Sequence, residues 1–282
     1  MSTALELKEQ GNRAFQAKDY PTAEALYSKA IQKESTNPQL FTNRAFSRIK
    51  LELWDGCIDD CIKSIDLQRD NMKAYYYLAQ AQLALHHPNE ALSSALTAYD
   101  VCLKTNNASV SNIAALILQA KKEKWEAAER QRLRNRSQLL QELEDGIQRR
   151  AEEDIRQLED DFEHRELNET EFAEEKGEIE TSTRHKVEEL RNVFAIADPV
   201  NLKRREVPDY LIDHITFAIM HDPVVTKNGQ SYERSSILEH LRRSQTDPLT
   251  RETLRPDELR PNLALKEACA QYLEENGWAV DW

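Results

Sequence analysis

Written in frames of 34 residues, the first 105 positions align three columns of small side chains. They are Gly11, Ala45 and Ala79; Ala23, Cys57 and Ala91; and Ala30, Ser64 and Ala98. Small residues recur at a fixed period where the two helices of a repeat, and the next pair, cross closely. Larger side chains fill the space around them: Phe15, Tyr27, Ile31, Ile49, Ile62, Ile65, Leu83 and Leu92. Pro21 and Pro88 fall just before the second helix of their repeats, where a helix start tolerates proline. The pattern predicts three helix pairs over about residues 4–105, with a further helix from about Ser111 capping the open end of the stack.

Periodicity then changes character. From Ile113 to Ala197 the chain has two glycines and no proline. Leu139, Leu143, Ile147, Ile155, Leu158 and Phe162 make one helical stripe, and Phe172, Ile179, Val187, Leu190 and Phe194 a second. Between them His164 to Thr170 reads as a turn, with Asn168 or Thr170 opening a new helix. Two helices folded back as a hairpin are expected, the first exceeding 40 residues, roughly 60 Å at 1.5 Å per residue. A stripe this thin buries little by itself and favours pairing with a second copy; a solitary spacer helix is the alternative. The acidic runs Glu152–Asp154 and Glu159–Asp161 read as solvated faces.

A third pattern follows a linker at Asp198 to Pro208, marked by two prolines and Lys203-Arg204-Arg205. Val224-Val225-Thr226 and Gln230-Ser231-Tyr232 flank Lys227-Asn228-Gly229, a hairpin signal. A helix is expected over about Arg234–Arg243, then a loop through Thr246-Asp247-Pro248-Leu249-Thr250-Arg251. Pro261-Asn262-Leu263 opens a last helix with Leu265, Ala268, Cys269, Tyr272 and Leu273 on its apolar side. The expected architecture is mainly α: a three-repeat solenoid (1–112), a charged dimerising hairpin (113–197), a linker (198–206) and a small α+β domain (207–282).

Composition narrows the function. Six glycines in 282 residues favour helices, and a net charge of -12 weighs against a nucleic-acid backbone as partner. No apolar run approaches the roughly 20 residues of a membrane span, and Met1 to Gln10 lacks the apolar core of a signal peptide, so a cytoplasmic or nuclear protein is expected. Cys57, Cys61, Cys102 and Cys269 form no C-x-x-C pair, so neither a thiolate metal site nor a disulfide framework is expected, and no cofactor is called for. Cys57 and Cys61, four apart on a helix, read as small core residues.

The repeats resemble tetratricopeptide repeats. In such arrays the first helix of each repeat lines a concave groove, and here it would carry Lys8 and Asn12, then Asn43, then Lys73, Tyr77 and Gln80. Lysine ammonium and asparagine amide donors together suit carboxylates. The set looks like the dicarboxylate clamp of co-chaperones, which holds the C-terminal Glu-Glu-Val-Asp tail of the 70- and 90-kDa heat-shock chaperones. That resemblance implies Lys50 as a further contact, with Tyr77 and Ile49 flanking the tail's aliphatic residue. Solvated helix lysines, or a groove for internal peptides, are the alternatives.

The C-terminal segment resembles the U-box, a RING-type fold with its zinc ligands replaced. The resemblance rests on Val207-Pro208-Asp209-Tyr210-Leu211, Ile215-Thr216-Phe217, Met220-His221-Asp222-Pro223-Val224, Tyr232-Glu233-Arg234 and Pro261-Asn262-Leu263. It implies that polar side chains do the work of the metal, with Asp222, Glu233, Arg234, His240, Asp247 and Asn262 as candidates and His240 and Asn262 as supports. It also implies a docking surface for a ubiquitin-conjugating enzyme made by Ile215, Phe217 and Pro248. Arg251 would hydrogen-bond both that enzyme and ubiquitin, holding a preorganised arrangement. Cys269, among apolar positions, reads as core rather than as a ubiquitin acceptor. Thr253 stands where the family usually has proline, which points to a looser second loop.

Repeats, hairpin and U-box in this order look like the CHIP-like chaperone-dependent ubiquitin ligases. Leu7-Lys8-Glu9-Gln10-Gly11-Asn12-Arg13, Thr42-Asn43-Arg44-Ala45, Lys73-Ala74 and Glu274-Glu275-Asn276-Gly277-Trp278 carry the likeness along the chain. It implies a homodimer that ubiquitinates chaperone-bound misfolded clients. The alternative is a non-enzymatic co-chaperone scaffold whose U-box serves only dimerisation.

Overall fold

A computed structural model describes residues 3–105, 109–164, 168–196 and 206–282. Six helices form three antiparallel pairs: α1 (Ala4–Gln16) with α2 (Tyr20–Lys33), α3 (Pro38–Lys50) with α4 (Trp54–Leu67), and α5 (Met72–Ala84) with α6 (Pro88–Lys104). Their starts are written in side chains. Thr3 and Glu6 form a reciprocal capping box, while Asp19, Asn37 and Asn71 each accept from a first-turn backbone N–H.

The turn inside each pair also repeats. Lys18, Glu52 and His86 adopt left-handed φ values of 62°, 57° and 61°. Each donates its N–H three residues back, to Phe15, Ile49 and Leu83, and the following residue donates five back, to Ala14, Arg48 and Gln82. That is the Schellman ending, made three times without glycine.

All nine small-column residues are buried. At Gly11 the reason is visible: a Cβ there would lie 2.7 Å from the Tyr27 ring. Between the first two pairs runs a polar seam that the sequence pattern did not suggest. Arg44 donates to Asp60 and Ser28, and Arg48 to Glu24, Asp60 and the Gly56 carbonyl.

Helix α7 (Val110–Glu163) is continuous over 54 residues. Val110, Ile113, Ala114, Leu116, Ile117 and Ala120 complete the core of the third repeat, as expected of a cap. The expected division at 112/113 therefore falls inside a helix. One compact unit runs through Glu126 and resumes at Val207; the other spans Ala127–Glu206. The physical reason is that α7 supplies apolar surface beyond the repeats. Leu118 packs into the core of the C-terminal domain, and Trp125 donates its indole N–H to the Glu275 carbonyl at 3.1 Å. Lys122 pairs with Asp281, and Tyr99 of α6 donates to Asp222 at 3.1 Å.

In the second unit, α7 from Ala127 onward pairs with α8 (Glu169–Ile196). Ala151 and Leu158 are buried, and Phe162 stacks on Phe172 at 4.7 Å. Arg191 grips Glu144 through two nitrogens, at 2.7 and 3.0 Å. Asn168 caps α8, accepting from Thr170 and Glu171. Residues 165–167 of the expected turn and 198–205 of the expected linker lie outside the described residues.

The C-terminal domain holds a three-stranded antiparallel sheet in the order β2 (Ser231–Glu233), β1 (Pro223–Val225), β3 (Arg260–Pro261). Gly229, at φ 80°, turns the first hairpin. Helix α9 (Arg234–Arg243) follows β2 directly, and α10 (Leu263–Glu275) starts at Asn262, whose side chain accepts from Leu265 N–H. The chain is thus mainly helical, with repeats at the front and a small sheet at the back.

Candidate functional site

The first helices of the repeats meet rung by rung. Lys8 of α1 donates to Gln39 of α3 at 3.0 Å, and one turn on Asn43 donates to Asn12 at 3.2 Å. One turn further, Phe15 packs on Phe46 at 4.7 Å, and Phe46 stacks on Tyr77 of α5 at 4.8 Å. Lys50 lies 5.4 Å over the Phe46 ring. Lys8, Asn12, Asn43, Lys50 and Tyr77 are therefore joined on one surface. Lys73 is exposed one turn before Tyr77 on α5 and makes no hydrogen bond to the rungs among the described residues. The sequence reading missed Phe46, the ring at the centre of this ladder.

Asn12 is oriented from behind. Its carbonyl oxygen accepts both from Asn43 and from the Tyr27 hydroxyl at 2.8 Å, which commits the oxygen and leaves the amide N–H groups for the other side. Burial pushes the Tyr27 and Tyr77 hydroxyls up to about 12, so both stay neutral donors at physiological pH. The surface offers ammonium, amide and aromatic groups: chemistry for a carboxylate attached to an apolar side chain.

In the C-terminal domain, two loops and α9 bear the residues expected to dock an enzyme. Phe217 is 73% exposed and Leu249 53%, and Arg251, two residues after Leu249, is exposed as well. Pro248 is half-buried. Ile215 is half-buried too: it rests on the core of Val224, Tyr232, Ile237 and Leu241, and lines a cavity of about 410 Å³. His240 and Ala218 share that cavity, and Ala114, Ala115 and Leu118 of α7 form its far wall.

Polar bonds brace the sheet, α9 and the second loop. Glu233 accepts from the backbone N–H groups of His221 and Asp222, each at 2.8 Å. Asp222 receives Arg234 at 2.6 Å and Lys266 at 2.8 Å; burial pushes its carboxyl up, but these two cations more than offset that and hold it below its usual value. His240 Nε2 sits 2.9 Å from the Thr246 carbonyl, tying α9 to the second loop. Asn262 donates to Ser231 at 3.1 Å besides capping α10. Among the described residues no cluster of His, Cys, Asp and Glu could hold a metal ion. Missed by the sequence reading was Asp213, fully buried and hydrogen-bonded on both carboxylate oxygens.

The U-box domain family matches residues 207–278, and the CHIP N-terminal tetratricopeptide repeat domain family matches residues 120–205, which is the stretch of the helical hairpin. An E3 ubiquitin-protein ligase CHIP of Arabidopsis thaliana is 33% identical over 279 residues, 98% of this chain and 95% of that one. The chain belongs to the CHIP family of E3 ubiquitin-protein ligases. The Hsp70/Hsp90 co-chaperone CNS1 of Saccharomyces cerevisiae is 35% identical over 140 residues, 45% of this chain and 36% of that one. Among solved structures, the TPR2B domain of yeast Sti1 in complex with pHsp70 superposes with a TM-score of 0.40 at 29% identity, covering 42% of this chain and 94% of that one.

As a member of this family the protein is a co-chaperone ubiquitin ligase of the U-box type. All four cysteines are buried, and burial pushes the Cys269 thiol up to about 11, so Cys269 presents no thiolate for a covalent ubiquitin intermediate. Thr253, in the second loop, forms an antiparallel bridge with Thr246, and Lys227 donates to its carbonyl at 3.0 Å. The non-enzymatic scaffold alternative is not borne out, since the chain is 33% identical to an E3 ubiquitin-protein ligase over 98% of its length. No helix among the described residues is long and apolar enough to cross a membrane.

Proposed function

We propose that the repeat surface reads the acidic C-terminal tail of a 70- or 90-kDa heat-shock chaperone while the U-box presents charged conjugating enzyme to the client. Lys8 and Lys73 take the carboxylates, Asn12 and Asn43 bond the terminal residue, and Lys50 adds charge at one end. Tyr77, stacked on Phe46, receives the tail's aliphatic side chain. The observation that carries this reading is the set of rungs joining Lys8, Asn12, Asn43 and Tyr77 across three helices. The match of 45% of the chain to a yeast Hsp70/Hsp90 co-chaperone supports the same partner class.

At the other end Ile215, Phe217 and Pro248 dock the conjugating enzyme, and Arg251 holds ubiquitin against it. His240 and Asn262 support that surface. The exposure of Phe217 and Leu249, two large apolar side chains on neighbouring loops, supports a protein partner there. In functional terms the chain divides into peptide-binding repeats closed by the start of α7, a hairpin that pairs two copies, a linker (198–206) and a ligase domain (207–282), working in the cytoplasm and in the nucleus.

A micromolar tail affinity is about -8 kcal/mol, and a charge-assisted hydrogen bond contributes about 1.5–3 kcal/mol. Lys8→Ala and Lys73→Ala are therefore each expected to weaken binding of a Glu-Glu-Val-Asp peptide about tenfold or more in a titration. Equal binding of a tail whose terminal carboxylate is amidated would instead favour internal peptides. Ile215→Ala and Arg251→Ala are expected to suppress ubiquitin-chain formation and leave the peptide titration unchanged; full activity in both would remove the docking assignment.

A further inference from the structure

The two docking loops of the U-box are one structural device used twice. Asp213-His214-Ile215-Thr216-Phe217 and Asp247-Pro248-Leu249-Thr250-Arg251 share an Asp-x-x-Thr spacing. Their backbones make the same bonds. Each aspartate N–H donates five residues on, Asp213 to Ala218 and Asp247 to Glu252, both at 2.8 Å. Each aspartate carbonyl accepts from the fifth residue of its motif, Phe217 at 2.8 Å and Arg251 at 2.9 Å. Each carboxylate accepts from the threonine N–H at 3.0 Å. Both loops close on a two-residue bridge, Ile212 with Ile219 and Thr246 with Thr253.

The outcome is also the same. Phe217 and Arg251 are held at φ 57° and 60°, a left-handed conformation that a residue with a side chain adopts at a cost. Such strain persists where the surroundings over-determine it, and here the aspartate bonds do so. In each loop the strained residue is exposed. The aspartates are themselves anchored on adjacent residues of β2: Glu233 N–H donates to Asp213 at 3.0 Å, and the Tyr232 hydroxyl to Asp247 at 2.8 Å.

We propose that Asp213 and Asp247 are positioning residues for two different parts of ubiquitin transfer, Asp213 aiming the docking contact Phe217 and Asp247 aiming Arg251. This rests on the docking reading above and deepens it. Because Phe217 supplies binding area and Arg251 acts on the loaded complex, the same injury in the two loops has different kinetic consequences. Loss of the first loop weakens capture of the conjugating enzyme. Release of Arg251 in the second slows the transfer, while capture still rests mainly on Ile215 and Phe217.

The two carboxylates also differ in how they tolerate an amide. Asp213 accepts on both oxygens: Oδ1 from Glu233 N–H, and Oδ2 from Thr216 and from the Ser236 hydroxyl. An asparagine there turns an N–H against one of these donors. Asp247 accepts Tyr232, Leu249 and Thr250 on Oδ1, and its Oδ2 has no hydrogen-bond partner among the described residues. An asparagine there keeps every bond.

The test is discharge of ubiquitin from a charged conjugating enzyme to free lysine by the full chain, as a function of conjugating-enzyme concentration, with thermal unfolding of each variant alongside. Asp213→Asn is expected to raise KM about tenfold with kcat within about twofold; Asp247→Ala is expected to lower kcat about tenfold with KM within about twofold. Asp247→Asn restores at least about half of the kcat lost to alanine. Tyr232→Phe, a volume-conserving change at a residue buried from any partner, removes one bond to Asp247 and lowers kcat about threefold at unchanged KM, which keeps the test alive if Asp247→Ala does not fold. A kcat that falls only in proportion to lost folded protein at unchanged KM, or unchanged kinetics in Tyr232→Phe and Asp247→Ala, overturns the positioning roles. If Ile215→Ala and Arg251→Ala are silent in the same assay, the docking reading itself fails and this inference with it.

Discussion

At the scale of single residues, Gly11 shows how a small side chain serves both fold and site. Alanine favours a helix interior over glycine by about 1 kcal/mol, but the added Cβ would meet the Tyr27 ring at 2.7 Å. Tyr27 is 2% exposed and its hydroxyl orients Asn12, so the ring has little room to retreat. Overpacking costs about 1–3 kcal/mol and should win. Gly11→Ala is expected to lower the melting temperature and to weaken tail peptide binding through Asn12, though residue 11 touches no peptide; a variant as stable and as tight as the parent contradicts this account. The small columns were legible because a missing side chain is itself written in the sequence. The left-handed turns at Lys18, Glu52 and His86 were not, since nothing in a lysine, a glutamate or a histidine announces positive φ.

Elements were legible where they are periodic. The three helix pairs, the capping helix, the hairpin and the order of the U-box elements all follow from spacing and turn chemistry. What covers an apolar stripe does not. Along α7 the expected stripe divides: Leu158 is buried, while Leu139 and Leu143 remain 49% and 41% exposed. A second copy of the chain would cover them, at about 1.5–3 kcal/mol for each side chain fully buried. Leu139→Glu combined with Leu143→Glu is therefore expected to convert a dimer to a monomer in analytical ultracentrifugation with helical content unchanged. A parent chain that sediments as a monomer at micromolar concentration, or a double variant still dimeric, rules out pairing through this stripe. The paired loops were half legible. Pro248 and Arg251 were picked out, but Asp213 was passed over because its role lies in the spacing it shares with Asp247, not in its immediate neighbours.

Across the whole molecule, the contact between repeats and U-box was beyond the reach of pattern. Tyr99 and Asp222 are 123 positions apart, and a single hydroxyl meeting a single carboxylate has no period. His221 lies at that contact, 6% exposed, with the Lys121 ammonium 3.4 Å from Nδ1 and the Tyr99 ring edge-on at 5.6 Å. Burial, then the charge of Lys121, pushes its pKa down to about 3, with Asp222 opposing and Lys266 adding to the fall. Between about pH 6.5 and 3 the unfolded chain holds a proton on this imidazole that the folded chain refuses, so His221 makes stability fall on acidification. One proton gives a slope of about 1.4 kcal/mol per pH unit. Glu233 acts in the opposite sense, because burial raises its pKa and the folded state takes up its proton first. Comparison with His221→Gln separates the two, since Glu233 is common to both chains. Between pH 7 and 5 the parent should lose about 1–2 kcal/mol more than the variant, read by calorimetry on the transition that contains repeats and U-box together. Parallel pH profiles would mean that the imidazole accepts its proton where it sits, and that the two ends of the molecule are not held together around a neutral histidine.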